Sequence, residues 1–148
     1  MKRLIFGIIV LVSLSFTLQS GTQLDQAKIK AAIQNKAILL VFTGSDWNKN
    51  SKKINENILL SDGFRSYAND NLEIVIIDFP KLNKNKLSEA QSFHNKIVAE
   101  KYNATMQIPY LLLLDEKGKV ISVYNTNKAT DASTFINQIK HSIDGAKQ

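Results

Sequence analysis

The segment Ala37-Ile38-Leu39-Leu40-Val41-Phe42 is an unbroken apolar run, and the stretch after it, Thr43-Gly44-Ser45-Asp46-Trp47-Asn48-Lys49-Asn50-Ser51-Lys52-Lys53, is almost entirely polar. An apolar run bounded by a Gly/Ser/Asp cluster predicts a strand covered on both faces. The polar stretch feeds a helix carrying Ile54 and Ile58, and the chain's single tryptophan, Trp47, stands at the turn between strand and helix.

The remaining elements follow from pattern. Leu24, Ala27, Ile29, Ala31, Ala32 and Ile33 alternate with Lys and Gln at helical spacing, which predicts an amphipathic helix starting near Asp25. The helix after Trp47 is expected to begin near Asn50 or Ser51 and to break at Ser61-Asp62-Gly63; Phe64, Tyr67 and Ala68 then resume a helical face. Leu72 to Phe79 is rich in β-branched residues and predicts a second strand, parallel to the first if the helix between them crosses over, and ended by Pro80. Residues 81–86 read as an exposed loop. Ser88-Glu89-Ala90-Gln91 fits a capping box, opening a helix whose face is Leu87, Ala90, His94, Ile97, Val98 and Tyr102. Tyr110 to Leu114, the turn Asp115-Glu116-Lys117-Gly118 and Val120 to Tyr124 predict a hairpin, and Thr130 or Asp131 caps a last helix with Phe135, Ile136, Ile139 and Ile143 inward. The order α, β, α, β, α, β, β, α predicts a mixed four-stranded sheet with helices on both faces.

With 148 residues, 44% of them hydrophobic, the chain holds one domain with a real core and is too apolar for disorder. Residues 1–20 stand apart. Lys2 and Arg3 precede an apolar segment from Leu4 to Leu18, and Ser20 and Gly21 offer small residues for cleavage, although Leu18 is large for such a site. This reads as an export signal over 1–20 and a folded domain over 21–148, with an uncleaved membrane anchor as the alternative. The formal charge of +6, less the charges of Lys2 and Arg3, leaves +4 on the remainder. That excess is spread thinly over lysines, and Arg65 is its one arginine. Nucleic-acid binding wants a denser basic face with stacking aromatics and is excluded, as is membrane association once the leader is gone.

The unit running from Leu39 through Trp47 to Lys52-Lys53, Ile108-Pro109 just before an apolar strand, and the Asp115–Lys119 turn together resemble the thioredoxin-like family, in particular its periplasmic thioredoxin and disulfide-isomerase-like branch. The resemblance covers about residues 25 to 145. It implies an α/β thioredoxin-like fold with an extra N-terminal helix, and a cis peptide before Pro109 lying against the Trp47 turn. In that family two cysteines follow the tryptophan; the matching positions are Asn48 and Ser51, and the chain has no cysteine at all. The buried acid that many thioredoxins keep six residues before the first cysteine is matched by Phe42.

Thiol–disulfide exchange needs a thiolate, so composition excludes it. Ser51 as a different nucleophile would need a base, and Lys52 and Lys53, adjacent on a helix, do not face it; a helix-terminal serine is expected to be a cap. His94 and His141 are the only histidines, no zinc-type spacing or phosphate loop is present, and no metal or cofactor is expected. Asp46 reads as a solvated carboxylate, and Asn103-Ala104-Thr105 as a glycosylation sequon relevant only in a eukaryotic secretory pathway. The resemblance implies a peptide-binding surface on Trp47, Gln107, Ile108 and Pro109, where an extended segment pairs with backbone. At the helix N-terminus the alternatives are lysines that simply point into water, the favoured reading, and an anion site beside Lys49, Lys52 and Lys53. The expected function is an exported, redox-inactive, periplasmic or secreted protein that binds a polypeptide partner in a chaperone or assembly role. The alternatives are a structural module of an envelope complex and a Ser51-dependent hydrolase.

Overall fold

Thr22 opens the first helix: its hydroxyl accepts the Asp25 N–H while the Asp25 carboxylate reaches back to the Thr22 N–H. α1 (Gln23–Gln34) therefore starts two residues before the expected position, because Asp25 is the third residue of the helix and closes the capping box rather than opening it. A computed structural model describes residues 22–126 and 131–147. The export signal expected over residues 1–20 lies outside the described residues.

The order is α1, β1 (Ala37–Thr43), α2 (Lys49–Ile54) continuing through a π-helical turn over Asn55–Leu59, α3 (Asp62–Asn71), β2 (Leu72–Asp78), α4 (Glu89–Tyr102), β3 (Tyr110–Leu114), β4 (Val120–Tyr124) and α5 (Ala132–Ala146). The sheet runs β2-β1-β3-β4, with β1 and β2 parallel and β3 antiparallel to both β1 and β4. This is the expected thioredoxin-like arrangement.

Because side chains alternate along a strand, β1 feeds two cores. Ile38, Leu40 and Phe42 pack with Leu24, Ala27 and Ala31 of α1 and Val98 and Ala99 of α4. Leu39 and Val41 face the other way, into Ile54, Ile58, Phe64, Ala68, Phe135 and Ile139. Phe42, at the position the resemblance gives to an acid, is fully buried and tilts against Tyr110 with ring centroids 6.3 Å apart. Burial of such a ring contributes about 2–3 kcal/mol, and an ionised group there would face the full desolvation penalty.

Two helical faces differ from expectation. Ile29 and Ile33 of α1 are exposed, Ile33 at 78%, since Leu24, Ala27 and Ala31 alone meet the sheet. On α4 the buried stripe is Asn95, Val98 and Ala99, while Ala90 and Ile97 face solvent. Asn95 holds that place because its Nδ2 donates to the Asp78 carbonyl at 2.8 Å and its Oδ1 accepts from Gln91 Nε2 at 2.8 Å. In the hairpin, Asp115 Oδ1 accepts the Lys117 and Lys119 N–H groups, and Gly118 takes φ +83°, the left-handed region open to glycine.

Candidate functional site

The site lies where β1 ends. The Gly44 carbonyl accepts the Trp47 and Asn48 N–H groups at 3.3 and 2.9 Å, turning the chain into α2. Asn48, not Ser51, is the N-cap: its Oδ1 accepts the Ser51 N–H at 2.9 Å. The same amide donates Nδ2 to the carbonyl of Ile108 at 3.1 Å, across sixty residues of chain. Both partners are backbone groups of fixed polarity, so the orientation of the amide is dictated. Ser51, the third residue of the helix, is 3% exposed, and its Oγ accepts the Gly44 N–H at 3.2 Å. The two positions matched to cysteines are thus built into a hydrogen-bonded turn, and the expectation of Ser51 as a cap is corrected.

The loop before Pro109 is held from its other side. Asn103, also 3% exposed, donates Nδ2 to the Gln107 carbonyl at 2.7 Å and accepts the Gln107 N–H on Oδ1 at 2.9 Å. Met106 sits in the left-handed region (φ 52°) with its N–H on the Asn103 carbonyl. The Ile108–Pro109 peptide is cis, as expected. Asn103 is thus a buried clamp and not an exposed sequon asparagine. Gln107 is exposed, Ile108 and Pro109 are half-buried, and among the described residues the Ile108 N–H has no hydrogen-bond partner.

Trp47 is turned toward β2. Its ring lies against Gly44, where an added Cβ would come within 2.5 Å of Cε2; its Nε1 donates to the Phe79 carbonyl at 2.8 Å, and Lys81 Nζ stands 3.8 Å from the ring centroid. Asn48, rather than Trp47, makes the bond to 107–109. Asp46 is no idle carboxylate: it accepts the Lys81 and Leu82 N–H groups at 2.9 Å each and Asn85 Nδ2 at 3.0 Å. The Lys81 N–H leads in holding its carboxyl below the usual range, with Leu82 and Asn85 adding to the effect. Ser45 closes the same end of the sheet, donating its N–H and hydroxyl to the Asp78 carboxylate at 2.9 and 2.5 Å.

Below α2 is a cleft of about 460 Å³ lined by Val41, Thr43, Ser51, Ile76, Asp78 and Pro109 among others. Lys49, Lys52 and Lys53 are exposed, and none is in an ion pair among the described residues. Lys52 and Lys53 belong to the last turn of the six-residue α2, and the Ser51 N–H that an anion would use is taken by Asn48. No group of acidic, histidine or cysteine side chains spaced to hold a metal occurs among the described residues.

No protein-family model matches the chain. Over 88 residues, 60% of its length, it is 36% identical to the disulfide bond reductase DsbH of Chlamydia pneumoniae, and the match spans about half (51%) of that protein. A solved DsbH oxidoreductase superposes with a TM-score of 0.72 at 29% identity, covering 80% of this chain and 79% of that one. A disulphide isomerase from Xylella fastidiosa Temecula1 has the same fold at 17% identity, with a TM-score of 0.57 over 87% of this chain and 98% of its own. The chain has the thioredoxin-like fold and is similar to DsbH, with no cysteine at either position matched to the cysteines after the tryptophan.

Proposed function

We propose that this thioredoxin-like homologue of DsbH is an exported, redox-inactive protein that binds a polypeptide partner along the groove formed by the Trp47 turn and Gln107-Ile108-Pro109, in a chaperone or assembly role. The Asn48 amide carries the reading. It joins the helix start to the Ile108 carbonyl where the family places a reactive thiol, so the binding face stays assembled in a chain without cysteine. The Ile108 N–H is left as a main-chain donor for an extended segment adding as a strand, with Met106 and Gln107 exposed beside it. DsbH is named for disulfide reduction, which runs through a thiolate; this chain has none to offer, and we assign it no part of that chemistry.

Export rests on Lys2, Arg3 and the apolar stretch to Leu18, and places the domain in the periplasm or outside the cell. A Ser51 hydrolase is the weaker reading, because the hydroxyl is buried and accepts a hydrogen bond from Gly44 while Lys52 stands exposed.

The test is affinity capture from an envelope extract by the tagged protein beside a Trp47→Ala/Pro109→Ala variant whose fold is checked by circular dichroism. A polypeptide retained by the parent and lost by the variant supports the groove. Equal recovery from both overturns it and favours a structural module docked through another face. N-terminal sequencing of the exported protein checks the leader, with a start near residue 21 expected.

A further inference from the structure

On the other flank of Trp47, away from residues 107–109, the segment after β2 and the first half of α4 enclose a second cleft of about 520 Å³. Phe79, Pro80 and Leu87 line it half-buried; Leu82 and Phe93 line it while 47% and 63% exposed. Lys81, Lys86 and Lys96 line the same cleft against one carboxylate, Glu89. None of these four charges is in a salt bridge among the described residues. We infer that this cleft docks an acidic segment of a partner polypeptide, one that inserts a Phe- or Leu-type side chain between Leu82 and Phe93 while its carboxylates meet the three lysines.

Three observations carry the assignment. The first is charge complementarity: three cations outside any salt bridge around one carboxylate, Lys81 resting on the Trp47 ring, favour a ligand of opposite sign and disfavour a basic one. The second is chemistry of shape. Exposed apolar side chains on both walls of a concave site call for an apolar insert, which a small free anion lacks, and a recess of this size suits a few side chains better than a lipid surface. The third is preorganisation. The Asp46 carboxylate holds Lys81, Leu82 and Asn85, Trp47 holds the Phe79 carbonyl, and Asn95 holds the Asp78 carbonyl. The backbone of the wall after β2 is therefore held before any ligand arrives, which lowers the ordering cost of binding there. The inference does not rest on the groove at Ile108.

The test is fluorescence anisotropy of the full chain with a dye-labelled decapeptide carrying a central Phe-Leu pair flanked by Asp and Glu. Two control peptides replace every acid by Lys, or the Phe-Leu pair by Ala. Binding of the acidic apolar peptide alone is expected, weakening as salt is raised. Phe93→Ala and the double variant Lys86→Glu/Lys96→Glu should each weaken it about tenfold or more, on the order of a 1.4 kcal/mol change. Phe93 and both lysines are exposed, so these changes leave the core untouched. Pro109→Ala should leave this binding in place, which separates it from the groove. The inference is overturned if the Lys peptide binds equally well, if no binding appears at about 1 mM, or if neither variant matters. It is also overturned if vesicles of anionic lipid capture the chain through Phe93 while the peptide does not.

Discussion

Replacing Asn48 by alanine removes two hydrogen bonds with one truncation. The N-cap bond to the Ser51 N–H is worth about 1 kcal/mol, and the bond from Nδ2 to the Ile108 carbonyl about another 1 kcal/mol. The expected loss is thus on the order of 2 kcal/mol, or about 8 °C in Tm at roughly 4 °C per kcal/mol for a domain of this size. Asn48→Ser divides the sum: its hydroxyl still caps the helix but is too short to reach Ile108, so about half the loss should remain. Asn48→Asp keeps the cap acceptor and turns a carboxylate toward the Ile108 carbonyl, so it should fall below the serine variant despite a favourable helix dipole. Urea denaturation of the four proteins, read by far-ultraviolet circular dichroism, measures each step. An alanine variant within about 0.5 kcal/mol of the parent would refute the bridge, the level at which surface substitutions ordinarily sit. Serine and alanine variants of equal stability would assign the whole effect to the link with Ile108 and none to the cap.

Asn103→Ala removes the buried amide that pairs both the N–H and the carbonyl of Gln107, and a loss of about 2–3 kcal/mol is expected, with faster hydrogen exchange over residues 104–108. Gly44→Ala puts a methyl carbon within 2.5 Å of the indole, which must leave the Phe79 carbonyl; a loss of about 1–3 kcal/mol and a shifted emission from the single tryptophan are expected. The Asp46 carboxyl has a folded pKa below its unfolded one, so its contribution is complete above the ordinary carboxylate value of about 3.9 and is lost as pH falls through the folded value. Amide exchange at Lys81 and Leu82 should therefore accelerate, relative to the intrinsic rate, in that acid window, and Asp46→Asn should remove that part of the pH dependence.

Strands and the hairpin were legible because their signals are local. β1, β2 and β3 are apolar runs ended by turn residues, and Asp115 to Gly118 carries its own turn chemistry. The starts of α4 and α5 fell at the expected caps, Ser88 and Asp131, whereas those of α1 and α2 were read a residue or two late. In a cap, the residue that accepts and the residue three places on that donates belong to similar polar types, so Thr22/Asp25 and Asn48/Ser51 can be read from either end. The paired spacing x-x between two such residues is the signal that locates the true cap. On α4, counting apolar residues placed Ile97 inward, whereas a polar residue, Asn95, holds the buried place because of a carbonyl seventeen residues away. Asp46 and Asn103 were missed for the same reason in different degree. The partners of Asp46 lie more than thirty residues on, beyond any local pattern, whereas Asn103 and Gln107 are four apart and their pairing was hidden behind a sequon.

These misses share a chemistry that bears on the site. Asn48 bridges the Ser51 N–H and the Ile108 carbonyl, and Asn103 bridges the N–H and carbonyl of Gln107. Each bridge needs a donor and an acceptor on one short side chain; asparagine supplies both, while serine at these positions lacks the reach, aspartate lacks the donor and cysteine is weak at both roles. Residues 107 and 108 are consequently held by two amides from two elements, and Ser51 extends the network to Gly44. A hydrogen-bonded polar network rigidifies what it joins. In a chain of this fold without cysteine, Asn48, Ser51 and Asn103 hold geometry: they keep the Ile108 edge fixed and leave its N–H without an intramolecular partner among the described residues, which is the arrangement the proposed binding of an extended polypeptide uses.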